Sequence, residues 1–268
     1  MSAPSTVVAV ADPLAPVITT LRAMAARPDL PSLTGITPEL RVRDLTGWTP
    51  ASALASGEAL DSLLDTAKQR WRAAPHAAAA LAWKCYSYWV ALPAVLGYAV
   101  ARRVPLMVAD GVVARWSPRP PFVTVGLTSV EVAVLPSDPL AALSRTARRA
   151  MGVTVVADDE ALLAVLRTSL MDEHLDPMLE GIRSRLHLGR RTLWGSLASG
   201  VAHGISRAAD VLPGSTLETA TEVLGALGVD DLVDVSWRPD GGLDVQRRTC
   251  CLAFTLPEPR ICTGCCIR

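Results

Sequence analysis

The chain has 268 residues, 50% of them hydrophobic and 19% charged. It can therefore bury a core as one large domain or two small ones, and disorder of its bulk is excluded. Lysines plus arginines equal aspartates plus glutamates, 26 of each; this balance gives no support to a broad nucleic-acid surface, which needs a positive excess, but is compatible with a local basic pocket for a small anion or a metal chelate.

The first residues do not read as an export signal. No basic side chain precedes Arg22, and the apolar run Val7 to Ala11 is broken by Asp12 and Pro13. A cytoplasmic location is expected, where thiols stay reduced and clustered cysteines more often hold metal than form disulfides. Leu14 to Ala26 is predicted as a helix, and residues 31–50, rich in Pro, Gly and Thr, as loop. Ala51 to Ala74 reads as one helix with Asp61, Asp65, Lys68 and Arg72 on its polar face. The long apolar helix expected over 77–102 contains a stretch, 77–100, long enough to cross a bilayer. Lys84 near its middle, Ser87 and the neighbouring Tyr86 and Tyr88 favour a buried core helix instead, and peripheral attachment to the inner face of the membrane stays open.

The period then shortens. Val104 to Trp116 and Phe122 to Leu135 read as strands, with Asp110-Gly111 as hairpin chemistry between short apolar runs. A helix at Pro139 to Met151, a strand at Val153 to Ala157, helices over about 158–187, 190–210 and Thr216 to Leu227, and strands at Leu232 to Trp237 and Leu243 to Arg247 follow. The last two are joined by the turn Pro239-Asp240-Gly241-Gly242. The expectation is a mostly helical α+β single domain with short strands or hairpins and a short C-terminal cysteine-rich cluster-binding segment. Its parts are residues 1–50 (helix and loop), 51–245 (main domain) and 246–268 (cluster-binding segment).

Five of the six cysteines fall in that last segment, spaced C-C-x10-C-x2-C from Cys250 and Cys251 to Cys262 and Cys265, with Cys266 following. Thiolates repel one another, so gathering four requires positive charge between them, and soft sulfur suits zinc or iron–sulfur centres. Pro257 and Pro259 stiffen the connection, and Gly264 permits a tight turn between Cys262 and Cys265. The adjacent pair weighs against zinc, whose sites mostly use C-x2-4-C on both arms. Neighbouring side chains of an extended chain also point to opposite faces, so one of the pair must sit in bent backbone. A [2Fe–2S] cluster is the first reading, zinc the second and disulfides the third. No Gly-rich phosphate loop of the dinucleotide or Walker type occurs, so electrons must come from a separate donor.

Arg247-Arg248-Thr249-Cys250-Cys251-Leu252 followed by Cys262-Thr263-Gly264-Cys265 resembles the C-terminal signature of the FhuF-type ferric siderophore reductases. His174-Leu175-Asp176-Pro177 and Arg191 to Ser196, with its Leu-Trp-Gly, are similar to patterns in the middle of that family. The resemblance spans about residues 60–268 and is strong only at the end. It implies a [2Fe–2S] cofactor on Cys250, Cys251, Cys262 and Cys265, and one-electron reduction of a ferric siderophore fed by a ferredoxin or flavin reductase. Cys266 departs from the pattern and competes with Cys265 as fourth ligand. Arg247 and Arg248 are candidates for tuning the cluster or meeting the chelate, against ordinary strand-surface charges. His174 is a candidate for the chelate pocket, against a solvated helix residue. Trp194 and Cys85 read as core. The alternatives are a non-enzymatic zinc or iron–sulfur binding or sensor protein, and a remnant of the related siderophore-synthetase domain with a structural tail.

Overall fold

A computed structural model of the chain describes residues 12–29, 32–239, 242–262 and 264–267. Its organising element is the long apolar helix α4 (Pro75–Ala101), which begins on Pro75 and closes on Arg102 in the left-handed region. Between Ala77 and Ala99, every residue is buried except Lys84, Cys85, Tyr88 and Trp89. A helix apolar on nearly all sides belongs in a core. No helix among the described residues is long and apolar enough to cross a membrane.

The other helices pack around α4. They are α1 (Ala15–Ala25), α2 (Ala51–Ala55), α3 (Leu60–Trp71), α5 (Arg145–Ala150), α6 (Asp159–Arg167), α7 (Asp176–Arg185), α8 (Arg190–Arg207) and α9 (Thr216–Leu227). The principal partner is α8, which Gly200 and Gly204 let approach closely: a Cβ there would meet Tyr88 at 3.2 Å and Leu92 at 2.9 Å. Local chemistry sets the helix ends. The Asp158 carboxylate accepts the Ala161 N–H at the start of α6. The Ser215 hydroxyl accepts that of Glu218 at the start of α9, and Gly228 ends α9 at φ 67°.

Strands β1 (Ile36–Arg41), β2 (Thr49–Pro50), β4 (Val112–Trp116) and β5 (Val123–Leu127) form a sheet in the order β1-β5-β4-β2, with β1 and β5 parallel. A second sheet joins β3 (Arg103–Pro105), β6 (Val132–Val134) and β7 (Val153–Val155). The hairpin β8 (Val233–Trp237) and β9 (Leu243–Arg247) stands alone, with Val233 opposite Arg247. The fold is α+β, mostly helical, in a single domain.

Several boundaries differ from expectation. The expected loop over 31–50 contains β1 and β2, which pair with β5 and β4 and so tie this part of the chain into the sheet of the main domain. The helix expected over 51–74 breaks into α2 and α3 at Gly57, φ 88°. Asp110-Gly111 lies in a 3-10 turn; the β4–β5 hairpin turns at residues 117–122 instead. The helix expected at Pro139 to Met151 is a 3-10 turn followed by the short α5. The 246–268 boundary cuts β9. Residues 240 and 241, in the expected Pro239–Gly242 turn, residues 1–11, and Thr263 of the cysteine motif lie outside the described residues.

Candidate metal centre and adjoining cleft

In β9 the side chains alternate, so Leu243, Val245 and Arg247 are buried. Arg247 is only 3% exposed. Its Nη2 donates to Ser196 Oγ at 2.9 Å, while Nε and Nη1 are buried with no hydrogen-bond partner. Arg248, one residue on, faces out and forms an exposed fork with Asp234 at 3.0 and 2.5 Å. The two arginines therefore do not make one patch. Arg247 is not the strand-surface charge of the blander reading, because the period of two turned it into the protein; Arg248 is.

The cysteine tail is laid along β9. The Arg247 backbone N–H donates to the Gly264 carbonyl at 2.9 Å, Gln246 Nε2 donates to the Cys265 carbonyl at 3.0 Å, and the Cys265 N–H turns back to the Cys262 carbonyl at 3.1 Å. A Cβ on Gly264 would sit 1.9 Å from the Val245 carbonyl oxygen. The other arm is pinned to the junction of α3 and α4, where Cys251, Ala253 and Leu256 pack on Leu81 with Trp71 and Ala73 alongside. Just past the adjacent cysteines the chain turns at Leu252, φ 61°, whose N–H reaches Cys250 Sγ at 3.3 Å. Gly195, in the Leu-Trp-Gly stretch, has a mechanical reason: a Cβ would meet Thr249 Oγ1 at 1.9 Å. Trp194 is core, edge-on to Trp83 at 5.3 Å. Gly264→Ala is expected to lift the 262–266 strip off β9. Hydrogen exchange at the Arg247 amide should then accelerate at least tenfold, with α4 amides unchanged; unchanged protection at Arg247 would show that the strip accommodates a methyl.

All six cysteines are free thiols: Cys251 and Cys265 buried, Cys85, Cys250 and Cys262 partly so, Cys266 exposed. Burial pushes the Cys250 thiol up, the Leu252 N–H opposes this, and negative charge on Cys251, Cys266 or Cys265 would push it further. Burial likewise raises Cys262; Lys84 and Arg247 pull it down, and Cys251 and Cys265 push it up. Both arms of the motif thus lie within one electrostatic neighbourhood. Among the described residues, however, no three His, Cys, Asp or Glu side chains gather so as to hold a metal ion. A [2Fe–2S] unit distributes its four thiolates over two irons. Held by four thiolates it is a dianion when both irons are ferric, the kind of counter-charge that the buried, half-satisfied Arg247 lacks. Donor chemistry and charge fit the group, and the Thr249 hydroxyl, buried without a partner beside Cys250, adds a polar atom awaiting one.

Beside the tail opens a cleft of about 550 Å³. Its α4 wall is Lys84, Cys85, Tyr88 and Trp89, the stripe that α4 leaves incompletely buried. Its α8 wall is Ser196, Ser199, Gly200, His203 and Arg207, again on one face, and Arg247, Cys262 and Gly264 complete it. Among the described residues, no carboxylate lines it. Arg207 Nη1 donates to the Tyr88 hydroxyl at 3.1 Å. Burial lowers the pKa of His203, and the positive charges of Lys84, Arg247 and Arg207 lower it further. Burial raises the Cys85 thiol to about 11, so it lines the wall as a neutral group. Lys84, Tyr88, Trp89, His203 and Arg207 were not singled out from sequence as ligand-facing; the available signal was the charge of Lys84 within an apolar helix and its i, i+4 relation to Tyr88. A larger concavity of about 910 Å³, between the end of α4 and α9, has no tail residue in its walls, and its Arg102 is paired with Glu222.

His174 is elsewhere. It lies on a π-helical turn over Thr168–Leu175, fully buried. Its Nδ1 contacts the Met107 carbonyl at 2.5 Å, which accepts only, so Nδ1 carries the proton; Nε2 then accepts from the Tyr86 hydroxyl at 2.7 Å. Neither the chelate-pocket role nor the solvated position fits a ring enclosed with both nitrogens engaged. Burial lowers its pKa to about 4, with the Met107 contact opposing. The unfolded chain takes up this proton near pH 6.5, and the folded one not until about 4. Stability is therefore lost as pH falls across that window, by up to about 3 kcal/mol. In His174→Gln, the urea midpoint should depend less on pH between 6.5 and 4 than in the parent; an identical slope would mean that His174 does not titrate differently on folding.

Comparison of the chain with protein-family models and with curated proteins returned no match.

Proposed function

We propose that the chain is a ferric-chelate reductase of the siderophore-reductase type, with the cysteine tail holding a [2Fe–2S] centre and the adjoining cleft receiving the chelate. The observation that carries this reading is that Cys262 belongs to both: it is a candidate ligand of the centre and part of the cleft wall. When bound, such a centre supplies a one-electron store, refilled by a separate one-electron donor and emptied onto chelated iron(III), which leaves as iron(II) because hard oxygen donors hold it far less tightly.

The residues around it have separable tasks. Cys250, Cys251, Cys262 and Cys265 supply the thiolates. Gly195 and Gly264 let α8 and β9 close on the two arms. Arg247 places a cation within range of Cys262, where it favours added negative charge. Tyr88 and Trp89, edge-to-face with ring centres 4.8 Å apart, offer a rigid apolar surface for a bulky ligand.

Anaerobic purification tests the reading. The protein should be red-brown, its visible absorption should bleach with dithionite, and the reduced protein should be reoxidised in a single turnover by a ferric trihydroxamate with an iron(II) trap present. A colourless protein carrying stoichiometric zinc would overturn it in favour of a zinc-binding module.

A further inference from the structure

We propose that the surface where loop 252–261 meets the end of α3 is the docking site of a small acidic one-electron carrier protein; the proposal rests on the reductase reading. A concavity of about 380 Å³ lies there, with Arg70 and Arg72 on the α3 side and Glu258 and Arg260 on the tail side. Among the described residues it shares no lining side chain with the chelate cleft. It covers the arm of the tail that carries Cys251, since Leu256 and Trp71 belong both to its walls and to the small cluster around that cysteine. Electrons can therefore enter at one face of the tail while the chelate occupies another.

Two observations make this face a protein surface. The first is charge. Surface arginines of this chain are commonly paired: Arg41 meets Asp12, Arg185 meets Asp61, and Arg191 meets Asp231. Arg70, Arg72 and Arg260 have no ion-pair partner among the described residues, and Glu258 pairs with none of them. The second is exposed apolar area. Phe254 and Ile261 are 41% and 66% exposed, and the Arg260 N–H, donating to the Ala253 carbonyl at 3.1 Å, holds their two segments side by side. Phe254 follows Cys251 by three residues and Ile261 directly precedes Cys262. An apolar centre with a charged rim is the anatomy of a transient protein interface, and its positive sign calls for an acidic partner. The centre accepts one electron at a time, so the partner is a one-electron carrier.

An acidic [2Fe–2S] ferredoxin is the probe. Calorimetric titration of its oxidised form into the iron–sulfur-loaded chain reads docking without electron flow. Stopped-flow mixing of its reduced form reads transfer, in which the ferredoxin is oxidised by one electron and the centre reduced by one. In the parent, Kd should weaken at least about tenfold between about 0.05 and 0.5 M salt. The triple variant Arg70→Gln/Arg72→Gln/Arg260→Gln should weaken Kd and slow transfer at least about tenfold at low salt, and should match the parent at high salt. Phe254→Ser/Ile261→Ser should weaken Kd about fivefold at every salt. Iron content and bleaching by dithionite, which need no docking, should equal the parent's in both variants. No binding, salt-independent binding by the parent, or parent-like Kd in the triple variant would overturn the proposal. Turnover of a ferric trihydroxamate by the dithionite-reduced chain, without ferredoxin binding, would leave the reductase reading and remove the docking site. Docking and transfer without chelate turnover would do the opposite.

Discussion

Serine in place of Cys250, Cys251 or Cys262 is expected to yield a chain that folds but retains no stable iron–sulfur centre. Iron and acid-labile sulfide should fall to near zero in each, and visible absorption should disappear. Folding should survive because the main core lies elsewhere; of these three, only Cys251 belongs to a buried cluster, the small one around Leu81, Ala253 and Leu256. The fourth position separates by burial. Cys265 is buried, with its N–H turned back to Cys262 and its carbonyl held by Gln246, whereas Cys266 is exposed. Cys265→Ser should thus lose the centre and Cys266→Ser should keep it. Cys266 does lie close enough to raise the Cys250 pKa, so the opposite pair of results would move the ligand register by one.

Replacing Arg247 by methionine should act in opposite directions on the loaded and the metal-free protein. A buried cation whose charge acts on a ligand of a centre that gains an electron raises its potential. Its removal should lower the midpoint by on the order of 50–100 mV, from Coulomb interaction at the effective dielectric of partly buried sites. The metal-free chain should be no less stable, because a buried guanidinium with two partnerless nitrogens is a desolvation cost. Arg247→Lys should keep much of the potential. Arg248→Ala should change neither quantity appreciably, since its partner Asp234 is exposed as it is. Spectroelectrochemical titration and urea unfolding of the variants provide the measurements. An unchanged midpoint in Arg247→Met would remove Arg247 from the electrostatics of the centre.

Much of the helical framework was readable because helix signals are local. The apolar run of α4, the Ser215 and Asp158 caps and the Gly228 stop each act within a few residues. The strands before residue 51 were not readable, because β1 is a strand only through pairing with β5, nearly ninety positions later. The π-helical turn around His174 was missed for a similar reason: nothing in Asp172-Glu173-His174 announces burial. It is the Met107 carbonyl and the Tyr86 hydroxyl, from distant parts of the chain, that make an enclosed imidazole tolerable.

The cysteine constellation could be identified without any structure, since thiol softness, mutual repulsion and C-C-x10-C-x2-C spacing are properties of the residues and of chain length between them. Those properties do not say which neighbouring cation serves the thiols. Arg247 and Arg248 are indistinguishable as letters; the alternation of β9 and its packing on Ser196 turned one inward and left the other to Asp234. Nor could spacing reveal the cleft. Lys84 and Tyr88 share a face of α4, but His203 and Arg207 come to stand opposite them only because the glycines of α8 let two helices approach, and charge acts through space rather than along the chain.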